Sequence, residues 1–595
     1  MRFNHLATAF LINFGHLSPA RFFAVLNIPT ITGDAKLTEE LFGGNVLAPR
    51  GELLGDGSYA EAIEYLGVSG LRYPGGSLTE FMFDINNPDA ETAYDPRTDT
   101  ESSMIGLTDF MSYAEEMGHA VTIVVPTRTQ LSSSLDQYGN RSAEIDEEAL
   151  RHFVQDVATG EFGDAQIQAF EIGNEYWGSG EMNAVEYGRL ASQMSEIIDS
   201  ELSAANRDDI DIVVQKGNNF GYSRISSEFE GVPSIEALAT INEQYGTDLG
   251  EDALFSSGAV NWGYVNSKLV LSSFDTDSEI EAVDGVVTHI YSRGDVAEST
   301  RYFDLDQIND TWSVEMPGID IYITEWNLKS TRGLDRDEDY GLFQGQEMLE
   351  IMEEFARTGV DKAHVWPLIQ NTRNALSEGQ EFDSATPPGE MFNLMSETLP
   401  GKVLLDFQQG SRSTEAEIGE VSVHMFAGEG ELAMYVMNGS KDAAATADID
   451  LSSLVSGYTV SDILVLGVED GEAPGSNSSQ SVVESLDPSF IQDGQLEASL
   501  SPGEIMQVVL SDIIPTDGFR DTWDLANSIN PFDDDPVVEP VSDPIIPSVP
   551  MDDSDLLIDD EPAVDEDDDD DMFAGLGWMG GLLLLLALGT GGLAG

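Results

Sequence analysis

Residues 167–177 read IQAFEIGNEYW. The first six, Ile167–Ile172, have the brevity and apolar content of a buried strand, and they run without a spacer into Gly173-Asn174-Glu175-Tyr176-Trp177. A helical pattern lies on either side, Glu147–Ala158 before the run and Ala184–Leu202 after it. Strand and helix in alternation mark βαβ units and a parallel sheet.

Working outward, the same alternation repeats. Leu41–Leu47 opens after a Gly-rich turn, and Gly70–Tyr73 follows the amphipathic Ala60–Leu66. Ala120–Pro126 follows the helical Leu107–Met117, and Ile210–Val214 follows Ala184–Leu202. Val283–Ile290 comes after a long insertion, then Ile319–Thr324, then Lys362–Leu368 behind the helix Gly341–Ala356. With Ile167–Ile172 these make eight strands, which predicts an α/β fold, a (β/α)8 TIM barrel over residues 36–400. A doubly wound sheet is the alternative, but the Gly-rich phosphate loop that would follow its first strand is missing.

From 401 to 512 the pattern changes. Short alternating runs (Val421–Phe426, Glu431–Met437, Asp462–Leu466, Ile505–Leu510) sit between Gly/Ser/Asp turns without a long helical period. They predict a C-terminal all-β, sandwich-like domain. Phe22–Ile31, within the N-terminal segment 1–35, is also strand-like and is expected to pair into that domain. Residues 513–571 read as an acidic, Pro-rich linker and disordered tail, and 572–595 as a charge-free, Gly- and Leu-rich segment. That segment is long enough to span a bilayer, so it reads as a membrane anchor, a sorting or export signal, or a cleaved tail, with membrane or cell-surface association the expectation for the first two. Met1–Pro19 makes a poor signal peptide, because Asn13, Gly15 and His16 break its apolar stretch.

Composition narrows the function classes. The 595 residues carry 26 Lys+Arg against 109 Asp+Glu, a formal net charge of −83. A surface of that sign repels polyanions, which argues against nucleic acid as a partner. The absence of cysteine excludes disulfides, thiolate metal sites and a Cys nucleophile. Lys accounts for 7 of the basic residues, as suits a salt-adapted surface and an extracellular, secreted or cell-surface setting. Beyond Arg520 there are 20 acidic residues and no basic ones, which leaves −63 on the rest of the chain.

Chemistry in such barrels gathers where the strands end. Strand two ends in Arg72-Tyr73-Pro74-Gly75-Gly76, strand four in Asn174-Glu175-Tyr176-Trp177, and strand six in His289-Ile290-Tyr291. Strand seven ends in Glu325-Trp326-Asn327, and strand eight in Trp366-Pro367. A Glu straight after a buried strand is disfavoured unless it is paired or used. Two of them, Glu175 and Glu325, each with an Asn and a Trp within two positions, form the pair that glycoside hydrolysis needs: a proton donor and a nucleophile or base. Trp177, Trp326 and Trp366 offer flat faces to sugar C–H groups.

The elements GLRYPGG (Gly70–Gly76), EIGNEYW (Glu171–Trp177), His289/Tyr291 and ITEWN (Ile323–Asn327) together resemble the clan A retaining glycoside hydrolases over about Leu41–Pro400. They are most similar to the α-L-arabinofuranosidase-like and β-xylosidase-like families, and the heparanase/β-glucuronidase-like family shares RYPGG. The resemblance implies that Glu175 is the acid/base, Asn174 holds the sugar 2-hydroxyl and Glu325 is the nucleophile. It also implies that Arg72 keeps Glu325 ionised through its positive charge and that Tyr291 hydrogen-bonds Glu325. His289 would border the sugar subsite and Trp366 would form its floor. No cofactor or metal is implied. Asp335-Arg336-Asp337-Glu338-Asp339-Tyr340-Gly341 looks like the start of a calcium loop, but its Gly is one position late and Gln346 stands at the twelfth position, so it reads as a solvated acidic loop. Two other classes stay open from sequence: a catalytically silent carbohydrate-binding barrel, and an acidic surface or adhesion protein.

Overall fold

The computed structural model describes residues 20–33, 36–330, 333–370 and 372–529. The acidic linker beyond 529 and the apolar segment 572–595 lie outside these residues. Among the described residues no helix is long and apolar enough to cross a membrane.

Eight parallel strands close into a barrel in chain order: Gly43–Asn45, Gly70–Tyr73, Ala120–Val125, Ile167–Ile172, Asp211–Gln215, Gly285–Ser292, Asp320–Leu328 and Lys362–Val365. All eight expected strands are present, the first shortened to three residues. Strand alternation divides each sequence between two faces. Leu71, Tyr73, Phe170, Ile172, Val286 and Ile290 point outward into a core shared with the surrounding helices. Ala169, Val213, Val287 and Tyr322 form an apolar layer of their own. Above that layer the inward positions turn polar.

The helices carry clear local signals. Asn183 caps Ala184–Ala205 in a reciprocal box with Glu186, whose carboxylate also takes the Arg141 guanidinium at 2.8 and 2.9 Å. Asp146 caps Glu147–Ala158, and Thr386 with Pro387 opens Pro387–Thr398.

The β-domain consists of two sheets that share one core. The expected N-terminal strand is there in two pieces. Ala20–Val25 pairs in parallel with Ala445–Asp450, and Thr30–Thr32 pairs antiparallel with Val403–Asp406. At the other end, the domain runs past the boundary expected at 512. Its last strand spans Ile505–Pro515, and the helix Arg520–Ser528 sinks Trp523 and Ala526, with Phe519 just before it, into the sandwich core. Those three residues read as linker because an acidic, basic-poor composition surrounds them; their apolar spacing outweighs it.

Domain and barrel are fused along the helix Leu342–Thr358. Its acids face a buried polar seam: His424 Nδ1 lies 2.7 Å from Glu353, Thr414 donates to Glu353 at 3.1 Å, and Arg412 holds Glu354 and Asp306. In the loop 335–341, Lys441 of the β-domain pairs with Asp339.

Candidate active site

The polar top of the barrel is organised around Arg72, which is fully buried. All five of its N–H donors are used. Nε and Nη2 donate to Glu171 at 2.7 and 2.9 Å, Nη1 to Asn45 at 3.0 Å and to Glu325 at 2.9 Å, and Nη2 also to Asn174 at 2.8 Å. Burial opposes the guanidinium charge, but Glu171 and Glu325 more than offset it and raise the Arg72 pKa.

Glu325 owes its position to a bulge. Strand seven inserts one extra residue against strand six, so Thr288 pairs Ile323 and His289 pairs Glu325. Thr324 therefore faces inward, donating to Glu171 at 3.2 Å, and Glu325 faces inward beside it. Arg72 takes one oxygen of Glu325, and Tyr291 donates to the other at 2.7 Å. The residue after the bulge, Trp326, turns outward. It is wholly buried, with its ring on Phe355 and Phe392. The structure thus places Trp326 in the core, away from the cleft face where the sequence reading put it.

Glu175 sits past the end of strand four with a left-handed backbone, φ +43°. Such a conformation costs energy for any residue other than Gly and persists only when its neighbours hold it. Here they do. Asn174 N donates to Glu80 Oε1 at 2.9 Å, and Tyr176 N donates to Gln215 Oε1 at 3.1 Å. Gln215 in turn donates to Gly173 O at 2.9 Å. Glu80 is buried and also accepts from the backbone of Thr127 and Arg128, both at 2.8 Å. Burial raises its pKa against the pull of those donors.

His289 joins the two acids. Its Nδ1 lies 3.1 Å from Glu175 Oε1 and 3.5 Å from Glu325 Oε2, while Nε2 is buried with no protein partner among the described residues. Burial works against a charge on the ring, but Glu325 and Glu175 outweigh it and raise the His289 pKa. Trp177 packs edge-on to His289 at 6.2 Å. Trp366 is partly exposed, and its ring covers Gly76, where a Cβ would fall 2.4 Å from Cη2. Asn327 holds the Trp366 carbonyl at 2.7 Å.

One donor atom from each of Glu175, His289 and Glu325 lies within 4.8 Å of the others, a spacing that three ligands of a cation would share. The donor set does not suit one: both Glu325 oxygens are already taken by Arg72 and Tyr291, and the guanidinium would repel a cation.

Eight of the nine residues singled out from sequence therefore gather at the C-terminal end of the barrel strands: Glu175, Glu325, Arg72, Asn174, Trp177, His289, Tyr291 and Trp366. Asn45, Glu80, Glu171 and Gln215 were not singled out. Glu171 carried a signal, a charge in mid-strand. Glu80 carried none, since it sits among ordinary helix residues in Leu78–Met82.

The sequence matches no protein-family model and no curated protein. Solved structures do match in fold. The α-L-arabinofuranosidase from Thermotoga maritima, in its arabinose complex, aligns at 15% identity with a TM-score of 0.54, covering 83% of this chain and 99% of that one. The GH51 arabinofuranosidase from Xanthomonas axonopodis pv. citri aligns at 14% and 0.51, over 82% and 99%. A family 51 α-L-arabinofuranosidase from Bifidobacterium longum aligns at 13% and 0.51, over 81% and 97%. At these identities the likeness is one of architecture alone: the chain shares the fold of these arabinofuranosidases.

Proposed function

We propose that the protein is a retaining glycoside hydrolase. Glu325 attacks the anomeric carbon while Glu175 gives its proton to the departing glycosidic oxygen. The glycosyl–Glu325 ester is then cleaved by water, whose proton Glu175 takes, so that the sugar leaves with its configuration kept. Arg72 balances the charge of Glu325, Tyr291 fixes its second oxygen, and Asn174 Nδ2, which gives one N–H to Ser179 Oγ at 3.4 Å, has a second N–H to offer a ring hydroxyl.

The observation that carries this reading is the closeness of the two carboxylates, with an oxygen of each within 4.8 Å of the other. Retaining pairs stand about 5–5.5 Å apart and inverting pairs about 6.5–9.5 Å, because the inverting pair must leave room for water. The likeness in fold to arabinofuranosidases makes neutral pentosides the first substrates to try. A charge of −63 outside the tail also disfavours polyanionic glycans.

The test is a panel of aryl glycosides (arabinofuranoside, xyloside, glucoside, glucuronide) with the anomeric configuration of the product read by NMR. Glu325→Gln should lose nearly all turnover yet keep sugar binding. Unchanged activity in both Glu175→Gln and Glu325→Gln would sink the assignment, and sugar binding without turnover in the unaltered protein would make it a binding-only barrel. We assign residues 530–595 to a location outside the cell or at its surface. Their deletion should spare turnover and change only where the protein is found; loss of turnover would contradict that division.

A further inference from the structure

Two aromatic side chains stand out on the rim of the barrel. Phe220 and Tyr222, in the loop after strand five, are 57% and 62% exposed. Single exposed apolar residues are common, but two on one short turn form a patch that water solvates poorly. Among the described residues neither ring stacks on another or carries a cation over its face. Phe81, by contrast, lies under both Arg97 and Arg128, at 4.5 and 4.4 Å.

The turn that presents them is firmly rooted. Gly221, between the two, has φ +46°, and a Cβ there would fall 2.3 Å from the carbonyl oxygen of Trp177. Tyr222 N donates to that same oxygen at 2.8 Å, and Asn218 N donates to the Tyr176 hydroxyl at 3.0 Å. Tyr176 is stacked on Tyr187 at 4.3 Å, and Tyr187 bonds Ile172 O and Gln215 N, both at 2.8 Å. The two rings are thus exposed but held by backbone tied to strands four and five. Exposed rings on a fixed support are poised to bind with little loss of conformational freedom.

Their place fixes what they would meet. The turn rests on Trp177–Gly178, and a Cβ on Gly178 would lie 3.7 Å from Glu175 Oε2. The turn is therefore tied by its backbone to the segment that carries Glu175, two residues before Trp177, whereas the strand of Glu325 continues into the buried cluster of Asn327, Gln344 and Asn374. The acid that protonates a glycosidic oxygen faces the portion of the chain that leaves. We propose that Phe220 and Tyr222 form an aromatic ridge that stacks successive sugar rings of a neutral oligosaccharide on its leaving-group side. The proposal rests on the glycosidase reading and makes the protein selective for chains longer than two sugars.

The experiment compares kcat/KM for a disaccharide and a pentasaccharide of one series, arabino- and xylo-oligosaccharides both being tried, in the unaltered protein and in the double variant Phe220→Ala/Tyr222→Ala. The unaltered protein should favour the pentasaccharide. The double variant should lose about tenfold of that preference through KM, and Phe220→Trp/Tyr222→Trp should keep it. An equal preference in the alanine variant, or none in the unaltered protein, overturns the ridge. If no glycoside is turned over, the glycosidase reading fails instead. Calorimetric titration with each pentasaccharide then decides the ridge alone: weaker binding by the alanine variant supports it, and equal or undetectable binding by both proteins overturns it.

Discussion

Arg72 grips Glu171, not Glu325, with the paired fork of its guanidinium, Nε and Nη2 meeting the two carboxylate oxygens at 2.7 and 2.9 Å. Glu325 receives a single N–H. Two buried carboxylates share one cation, and Glu171 anchors the arginine so that its remaining donors point at Glu325, Asn45 and Asn174.

A lysine cannot reproduce that fork. Arg72→Lys should therefore lower kcat/KM by at least about a hundredfold, since one point charge replaces a planar set of donors. Arg72→Ala should also destabilise the fold by about 3–5 kcal/mol, because Glu171 and Glu325 stay buried without compensation. Steady-state kinetics and thermal melts check the two effects separately.

Glu80 and Gln215 hold the amides on either side of the left-handed Glu175. Glu80→Gln keeps the shape but weakens acceptance of three backbone N–H groups. It should lower kcat about ten- to hundredfold with little change in KM. Because burial raises the Glu80 pKa, the same loss should develop in the unaltered protein on acidification. A variant whose KM rises while kcat holds would mean that Glu80 serves binding and not placement.

The seam between barrel and sandwich titrates in alkali. Burial opposes the charge on His424, yet Glu353, and behind it Glu350 and Glu415, lift its pKa from 6.5 to about 9. A folded-state pKa above the unfolded one gives stability that is full below the unfolded value and lost as pH rises through the folded one. The melting temperature should fall between about pH 7 and pH 10, with about 3 kcal/mol at stake. His424→Gln should be less stable at pH 7 and should flatten that slope.

At the opposite end of the barrel, burial and Asp320 push the Asp361 carboxyl up from 3.8 to about 7. The folded protein holds this proton more tightly than the unfolded chain, so stability is lost as pH climbs from about 4 to 7. Asp361→Asn can still accept from Ile321 N, a bond of 2.8 Å in the native protein. It should stabilise the protein at pH 8 by about 2 kcal/mol after screening by solvent, and by almost nothing near pH 4.

The barrel was legible because parallel strands buried on both faces leave apolar runs, and because Glu175 and Glu325 follow such runs directly. What sequence could not resolve was orientation. Along ITEWN, simple alternation does not say which of Glu325 and Trp326 faces inward; the bulge against strand six decides it, and it depends on the partner strand. Glu80 and Gln215 were invisible for a related reason. Their work is to accept or donate to backbone of other loops, and such partners leave no pattern in sequence.

The two short N-terminal strands have a consequence for how the molecule is made. Ala20–Val25 finds its neighbour in Ala445–Asp450, and Thr30–Thr32 in Val403–Asp406. A chain emerging from the ribosome presents these strands before the barrel, and their partners follow only after the barrel has been synthesised. Unpaired edges of that kind are adhesive. The early segment stays without its partners until the residues between 32 and 403 have been made, and like charge on so acidic a chain opposes contact between neighbouring copies in the meantime.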